Sequence, residues 1–320
     1  MSPSTETPAP SALRSNTLMT MAHRSKRPTA SRRGSQAERS RGDQPPATWK
    51  APVEFPACPE PLEPPPDLAE QARRIGLCFL PGEVERLGRF LALLLETNRT
   101  MNLTAIRDPR DAWQRHVLDS LSLMPVVEEA SPDTPARIID IGSGGGLPGV
   151  PLALCNPDSP CTLLDSTAKK CAFLEHVARE LDLPNVRVVC ARAEQAGHDR
   201  GKKIDRGGES FREDAMRDSF DLVTARAVGR LATLLELTVP FARVGGLCAL
   251  IKGRKADEEL AEAKQAMHLL HAVHVGTLDT PTGRVVVFEK LRPTPKTYPR
   301  PAGEPKRKPL GITHNETSDR

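Results

Sequence analysis

Aromatic residues are scarce in this 320-residue chain: two Trp, one Tyr and eight Phe, or 3% of the total. Binding by successive stacking of bases on aromatic rings is therefore excluded as the main mode of recognition. Long apolar runs are missing as well. The longest, such as Phe90 to Leu95, fall far short of the ~20 residues that a membrane-spanning helix needs. No apolar h-region follows the start, which argues against a secretory signal. The Ser/Arg-rich, acid-poor stretch 11–42 reads as an extended arm, with an organelle transit peptide as the alternative. Seven cysteines, an odd number with no C-x-x-C pair, suit reduced thiols in a cytoplasmic protein better than disulfides or zinc. No metal site and no membrane association are expected.

What is abundant sits at the ends. Of 31 prolines, 13 fall in residues 1–66 and 6 in residues 293–320. The net charge of +4 divides the same way, with +6 in residues 1–50 and +3 in residues 293–320, which leaves −5 for residues 51–292. Both ends therefore read as disordered basic tails, 1–66 and 293–320, around one folded unit. If that unit binds nucleic acid it must use a local cluster of cations, because its mean field is slightly acidic.

Between the tails two rhythms follow each other. Val84, Leu87, Phe90, Leu91, Leu94 and Leu95 recur at three and four residues, a helical stripe, and Asp108-Pro109 reads as a cap opening a further helix to about Leu123. Residues 67–130 are thus expected as a helical N-terminal extension. From residue 131 short apolar runs alternate with helices: Ile138 to Ile141, Cys161 to Leu164, Val186 to Cys190, Phe220 to Thr224 and Leu247 to Ile251. That alternation predicts an α/β fold with a mostly parallel sheet over residues 131–292. The runs His271 to Leu278 and Val285 to Glu289 flank a turn at Asp279 to Gly283, which predicts an antiparallel C-terminal hairpin. Residues 197–219 show no apolar periodicity and read as a solvated insertion.

The sharpest motif is Asp140-Ile-Gly142-Ser-Gly144-Gly-Gly146-Leu147-Pro-Gly149, placed after a strand and before a helix. There the free N–H groups of a helix start meet a ligand, and glycines let it approach the backbone closely. From Gly144 the segment contains the dinucleotide pattern G-x-G-x-x-G; from Asp140 it reads D-x-G-x-G-x-G, the form of S-adenosylmethionine methyltransferases. S-adenosylmethionine has no pyrophosphate, so a carboxylate before the first glycine is tolerable, and Asp140 can hold its ammonium directly or through water. With the late hairpin this favours S-adenosylmethionine, while an NAD-dependent oxidoreductase remains the competing reading. Asp165 ends the second strand about 20 residues on, where an acid takes ribose hydroxyls, or else merely caps the next helix. Ser166 and Thr167 adjoin it, and Ala193-Glu194 follow the third strand, where a backbone N–H can read an adenine edge.

Four separated segments, in order, carry a resemblance. Asn98-Arg-Thr-Met-Asn102-Leu-Thr-Ala, Arg115-His116-Val-Leu-Asp119-Ser120-Leu, the glycine loop through Pro151, and Thr224-Ala-Arg226-Ala resemble the bacterial ribosomal RNA small-subunit methyltransferase G family, also called glucose-inhibited division protein B. The resemblance covers about residues 67–292. It implies a Rossmann-like class I methyltransferase, transfer from S-adenosylmethionine to N7 of one guanine in 16S rRNA, and cofactor roles for Gly142, Leu147, Ala193, Glu194 and Arg226. The implied partner is 16S rRNA or the small ribosomal subunit, met by a monomer. A non-catalytic rRNA-binding assembly factor would share these segments.

The residues agree with a ring nitrogen as acceptor. Guanine N7 has an in-plane lone pair and no proton, so positioning suffices and no general base is needed. An exocyclic-amine enzyme would carry an Asn/Asp-Pro-Pro-aromatic tetrad after the fourth strand, where this chain has Thr224-Ala-Arg226-Ala. A cytosine-C5 enzyme would need a nucleophilic thiolate there. Arg115, His116, Arg226 and Lys252 are the candidate donors to guanine O6 and phosphate, the first three as the expected catalytic residues, with Lys169 and Lys170 available for phosphates.

Overall fold

The computed structural model describes residues 54–206, 209–226 and 229–312. Most of the expected N-terminal arm, residues 1–53, and residues 313–320 lie outside the described residues.

The helical half runs α1 (Leu68–Arg74), α2 (Glu83–Asn98) and α3 (Pro109–Ala112), continues through a π-helical stretch (Trp113–Leu118) into α4 (Asp119–Leu121), and closes with α5 (Met124–Ala130). The α/β half follows as β1 (Ile138–Ile141), α6 (Gly149–Cys155), β2 (Cys161–Asp165), α7 (Ala168–Glu180), β3 (Val186–Cys190), α8 (Ala193–Ala196), β4 (Lys202–Arg206), β5 (Glu209–Glu213), β6 (Phe220–Arg226), α9 (Leu231–Thr238), β7 (Ala242–Lys252), α10 (Ala256–Glu262), α11 (Lys264–Leu270), β8 (Ala272–Asp279), β9 (Arg284–Lys290) and α12 (Glu304–Arg307).

Seven strands form one sheet in the order β3-β2-β1-β6-β7-β9-β8. The first five pair in parallel, and β9 runs antiparallel to both β7 and β8. This is the Rossmann-like class I arrangement with its terminal hairpin. Strand order reverses at β1, so the crevice at the carboxyl ends beside β1 is where such sheets bind ligands.

Side chains alternate across each strand and divide the core into two layers. Ile138, Leu163, Leu222, Ala249 and Val287 face the N-terminal helices, α6 and α7. Ile139, Ile141, Leu164, Val223, Ala225 and Phe288 face α9 and α11. The α2 stripe packs into the first layer through the fully buried Leu87, Phe90, Leu91 and Leu94, as its spacing dictates. Asp108 caps α3, its Oδ1 accepting the Asp111 N–H at 3.0 Å, but the helix then widens to π geometry over the Arg115-His116 segment. One-turn π distortions of this kind recur at functional sites.

Three sequence expectations change. Residues 54–66 do not form a free tail: Phe55 stacks on His176 with centroids 4.8 Å apart, Leu62 N–H bonds Gly88 O, and Trp113 Nε1 donates to Glu63 O at 3.0 Å. Residues 293–312 are likewise ordered, with Leu310 in the second core layer. In the 197–219 insertion, β4 and β5 pair as an antiparallel hairpin, and Met216 and Arg217 are buried. Proline-rich composition concealed the first two, because extended segments docked largely by backbone groups need no apolar period, and dense charge concealed the hairpin.

Candidate functional site

The glycine loop leaves β1 by a left-handed path. Gly142 and Gly144 have φ of +75° and +57°, a region in which a side chain is strained. A Cβ on Gly142 would meet nothing within 4 Å, so this backbone faces open space. Gly149 serves packing instead: a Cβ there would stand 2.2 Å from Leu163 Cδ2. The loop is pinned from β2. Asp165 accepts Gly144 N–H on Oδ2 at 3.0 Å and Thr167 N–H on Oδ1 at 2.8 Å. A carboxylate has about four acceptor sites, so two remain for other donors.

A cleft of about 190 Å³ opens beside this loop. Its walls are Ile141, Gly142, Leu164, Asp165 and Ser166 at the ends of β1 and β2, Ala191 to Glu194 after β3, and Leu234, Leu237 and Thr238 of α9. Gly142, Asp165, Ser166, Ala193 and Glu194 are therefore brought together as the sequence predicted. Thr167 is exposed at the cap of α7, next to them. Gly144 shapes the loop without lining the cleft, and Leu147 turns its side chain into the first core layer. Leu164, Ala191, Leu234 and Leu237 were missed, since an apolar residue at an element's end looks the same whether it faces a core or a ligand.

Asp140 corrects an expectation. Two residues from Ile138 along β1, it shares that residue's face, the one turned from the α9 wall, and it is 0% exposed. Its Oδ2 accepts Gly149 N–H at 3.1 Å and its Oδ1 accepts Thr224 Oγ1–H at 3.3 Å. Burial pushes its carboxyl up to about 6, opposed by these hydrogen bonds and by Arg226. It braces the loop from behind, its two oxygens taken up by Gly149 and Thr224, and it is not among the residues that line the cleft.

The same alternation carries Arg226 away from the cleft, to the face covered by the N-terminal helices. Arg226 Nη1 donates to Arg115 O at 2.6 Å and Nη2 to His116 Nδ1 at 3.1 Å. Because a guanidinium only donates, Nδ1 is the acceptor and the ring proton sits on Nε2, which donates to Thr104 Oγ1 at 2.9 Å. His116 is 3% exposed, and burial, reinforced by the Arg226 charge, lowers its pKa to about 3. It is a neutral positioning residue and not a donor to RNA. Asn98 holds Thr104 in place, accepting the N–H groups of Leu103 and Thr104 and donating to Thr104 O. Asp119, also buried, is bound by Thr282 N–H at 3.1 Å and by the Thr282 hydroxyl, so it anchors the β8–β9 turn rather than Arg115. Arg115 is exposed and Lys252 is spent, donating to Gly229 O at 2.5 Å and pairing with Glu259 at 2.8 Å. Burial also pushes the Cys248 thiol up to about 12 and those of Cys161 and Cys171 higher still, leaving no activated thiolate among these three.

Comparison with known proteins agrees with this architecture. The family model for rRNA small subunit methyltransferase G matches residues 83–284. A ribosomal RNA small subunit methyltransferase G of Sorangium cellulosum is 48% identical over 254 residues, spanning 79% of this chain and 99% of that protein. The chain belongs to the rRNA small-subunit methyltransferase G family. Proteins of the same name from Brevibacillus brevis and Roseiflexus castenholzii are each 39% identical, over 76% of this chain and 97% and 99% of their own lengths. As a member of the methyltransferase G family the chain is a methyltransferase, and the dehydrogenase reading of its glycine loop falls away. Of the family's match, both the cleft and the Arg226–His116 assembly lie inside 83–284; the ordered stretches 54–66 and 293–312 lie outside it.

Proposed function

We propose that the protein methylates N7 of one guanine in 16S rRNA, drawing on S-adenosylmethionine held in the α9-side cleft. The observation that carries this reading is the combination of an open, left-handed Gly142 backbone with a buried Asp165 whose remaining lone pairs face the same cleft. When bound there, the donor supplies an electrophilic methyl on a sulfonium. Gly142 and Gly144 admit its methionine end along the backbone. Asp165 accepts from ribose hydroxyls, with Ser166 and Thr167 beside it. Ala193 and Glu194 offer backbone N–H groups to the adenine, and Leu234 and Leu237 exclude water from it. Leu147 and Arg226, cofactor residues by family likeness, act from behind: Leu147 through packing, Arg226 by fixing Arg115 and His116. Among the three expected catalytic donors, Arg115 is the one exposed to RNA. No group in this set is needed as a base.

The rRNA path is read from cations. Arg115, Lys169, Arg192, Arg254 and Lys255 are exposed and form no ion pair with another described residue; the last four follow the carboxyl ends of β2, β3 and β7, and the Arg115 carbonyl is bonded by Arg226 at the end of β6. Reversing Arg254 and Lys255 to Glu is expected to raise KM for the 16S rRNA substrate about ten-fold at low salt. The log–log salt slope should become shallower by about one per lost phosphate contact. Donor affinity measured by calorimetry should stay unchanged. We also infer action in the cytoplasm, as a monomer; among the described residues no helix is long and apolar enough to cross a membrane.

Mass mapping of 16S rRNA from cells with and without the gene tests the central reading. One N7-methylguanine should vanish on deletion and return with the wild-type gene but not with Gly142→Asp. Return of the mark with Gly142→Asp would overturn the use of this cleft, and unchanged rRNA on deletion would overturn the reaction.

A further inference from the structure

The stretch 293–312, outside the region matched by the family model, lies across the back of the cleft's outer wall. It is held by its own carbonyls. The buried Arg217 donates Nη1 to Gly197 O at 2.7 Å and to Tyr298 O at 2.8 Å, and Nη2 to Thr294 O at 2.7 Å. His198 Nε2 donates to Pro299 O at 2.8 Å. From this base the next residues reach both elements that wall the cleft. Gly303 N–H donates to Glu194 Oε1 at 2.9 Å, so the Glu194 side chain tethers α8 to this stretch. Thr233 Oγ1 of α9 donates to Pro305 O at 3.1 Å.

The strongest tie is ionic. Arg300 donates to Glu236 through its backbone N–H and Nε, both at 2.8 Å to Oε1, and through Nη2 at 2.6 Å to Oε2. The Glu236 side chain is 0% exposed. On α9, Leu234 and Leu237 are three residues apart and line the cleft, while Thr233 and Glu236 form the neighbouring stripe turned to the strap. Without Arg300 the Glu236 carboxylate loses its buried counter-charge and two side-chain donors, and turning it toward water shifts the helix that carries Leu234 and Leu237.

We propose that Arg300 is a positioning residue for the methyl-donor cleft: by neutralising Glu236 it fixes α9, and with it the apolar wall that closes on the nucleoside. This rests on the reading of the cleft as the donor's site. The guanidinium does not touch the ligand; its effect passes through Glu236 to the helix.

Calorimetry with S-adenosylmethionine on the full-length protein tests it, together with hydrogen exchange of residues 231–238 in the absence of ligand. Arg300→Ala is expected to weaken donor binding at least ten-fold and to speed exchange in 231–238, while exchange in the remote β8–β9 hairpin stays as in wild type. In turnover, KM for the donor should rise with kcat and KM for rRNA unchanged, a split that general loss of stability does not produce. Arg300→Lys should recover part of the affinity. If Arg300→Ala does not fold, Arg300→Lys and Glu236→Gln carry the same measurement, each with an expected loss of about three-fold. Folded variants with wild-type affinity and wild-type exchange overturn the proposal. If the wild type itself takes up no donor, the reading of the cleft fails instead.

Discussion

Arg226→Ala is expected to slow methyl transfer to rRNA about 100-fold and to lower stability by about 3 kcal/mol. Arg226 is the cation of a buried polar assembly. Without it Arg115 O and His116 Nδ1 lose their donor, and Asp119 and Asp140 lose the positive charge that tempers their burial. The rate effect follows from geometry: Arg115 is exposed and its backbone carbonyl is fixed by Arg226, and a displacement of ~1 Å in a positioned group is enough for such a loss. Arg226→Lys keeps the charge but replaces a planar fork by a single point, so it cannot bridge Arg115 O and His116 Nδ1 together. It should recover most of the stability and little of the rate. Single-turnover methylation of 30S particles and a urea titration separate the two effects. Wild-type turnover by Arg226→Ala would show that the assembly does not organise the site.

Opposite pH slopes are expected from the two buried groups on either side of Arg226. The His116 pKa, lowered to about 3, contributes stability that is present above the unfolded value of about 6.5 and is lost as pH falls toward the folded value. The Asp140 pKa, raised to about 6, contributes stability that is present at low pH and is lost as pH rises through 6. Between pH 7 and pH 5 the first term falls by roughly 2 kcal/mol and the second grows by roughly 1 kcal/mol, at 1.36 kcal/mol per pH unit. The two partly offset each other in the wild type, leaving a net loss of roughly 1 kcal/mol. His116→Gln should therefore gain about 1 kcal/mol over that interval relative to its own value at pH 7. Asp140→Asn should lose about 2 kcal/mol, whatever each substitution does to absolute stability. Denaturant titrations at four pH values give the slopes; parallel curves for the three proteins would remove both assignments.

The sheet and its motif were readable in the sequence because both rest on local rules. Strands beginning at Ile138, Cys161, Val186 and Phe220 lie where the apolar runs placed them, and Gly142, Asp165, Ser166, Ala193 and Glu194 share one cleft. What escaped depends on which way a side chain turns and on partners far along the chain. Asp140 sits in the expected loop, yet strand alternation sends its carboxylate to the opposite layer. His116 carries the chemistry of a donor, but its burial is decided by Thr104 and Arg226, residues 12 and 110 positions away. The C-terminal stretch has the composition of a solvated tail and is ordered through its carbonyls and one long-range ion pair, Arg300 to Glu236, neither of which a local pattern reveals.

The pairing of β1 has a consequence for how the chain is made. Ile138 is bonded on one side to Cys161, soon available, and on the other to Leu222, far downstream. While translation passes through the β4–β5 hairpin, the central strand keeps one row of backbone N–H and C=O groups bare, a ready template for another chain. Closure waits for Phe220–Arg226 to clear the exit tunnel, so the interval between those two pairings is the stretch of synthesis in which aggregation competes with folding. A member of an rRNA methyltransferase family thus meets that interval while still attached to a ribosome.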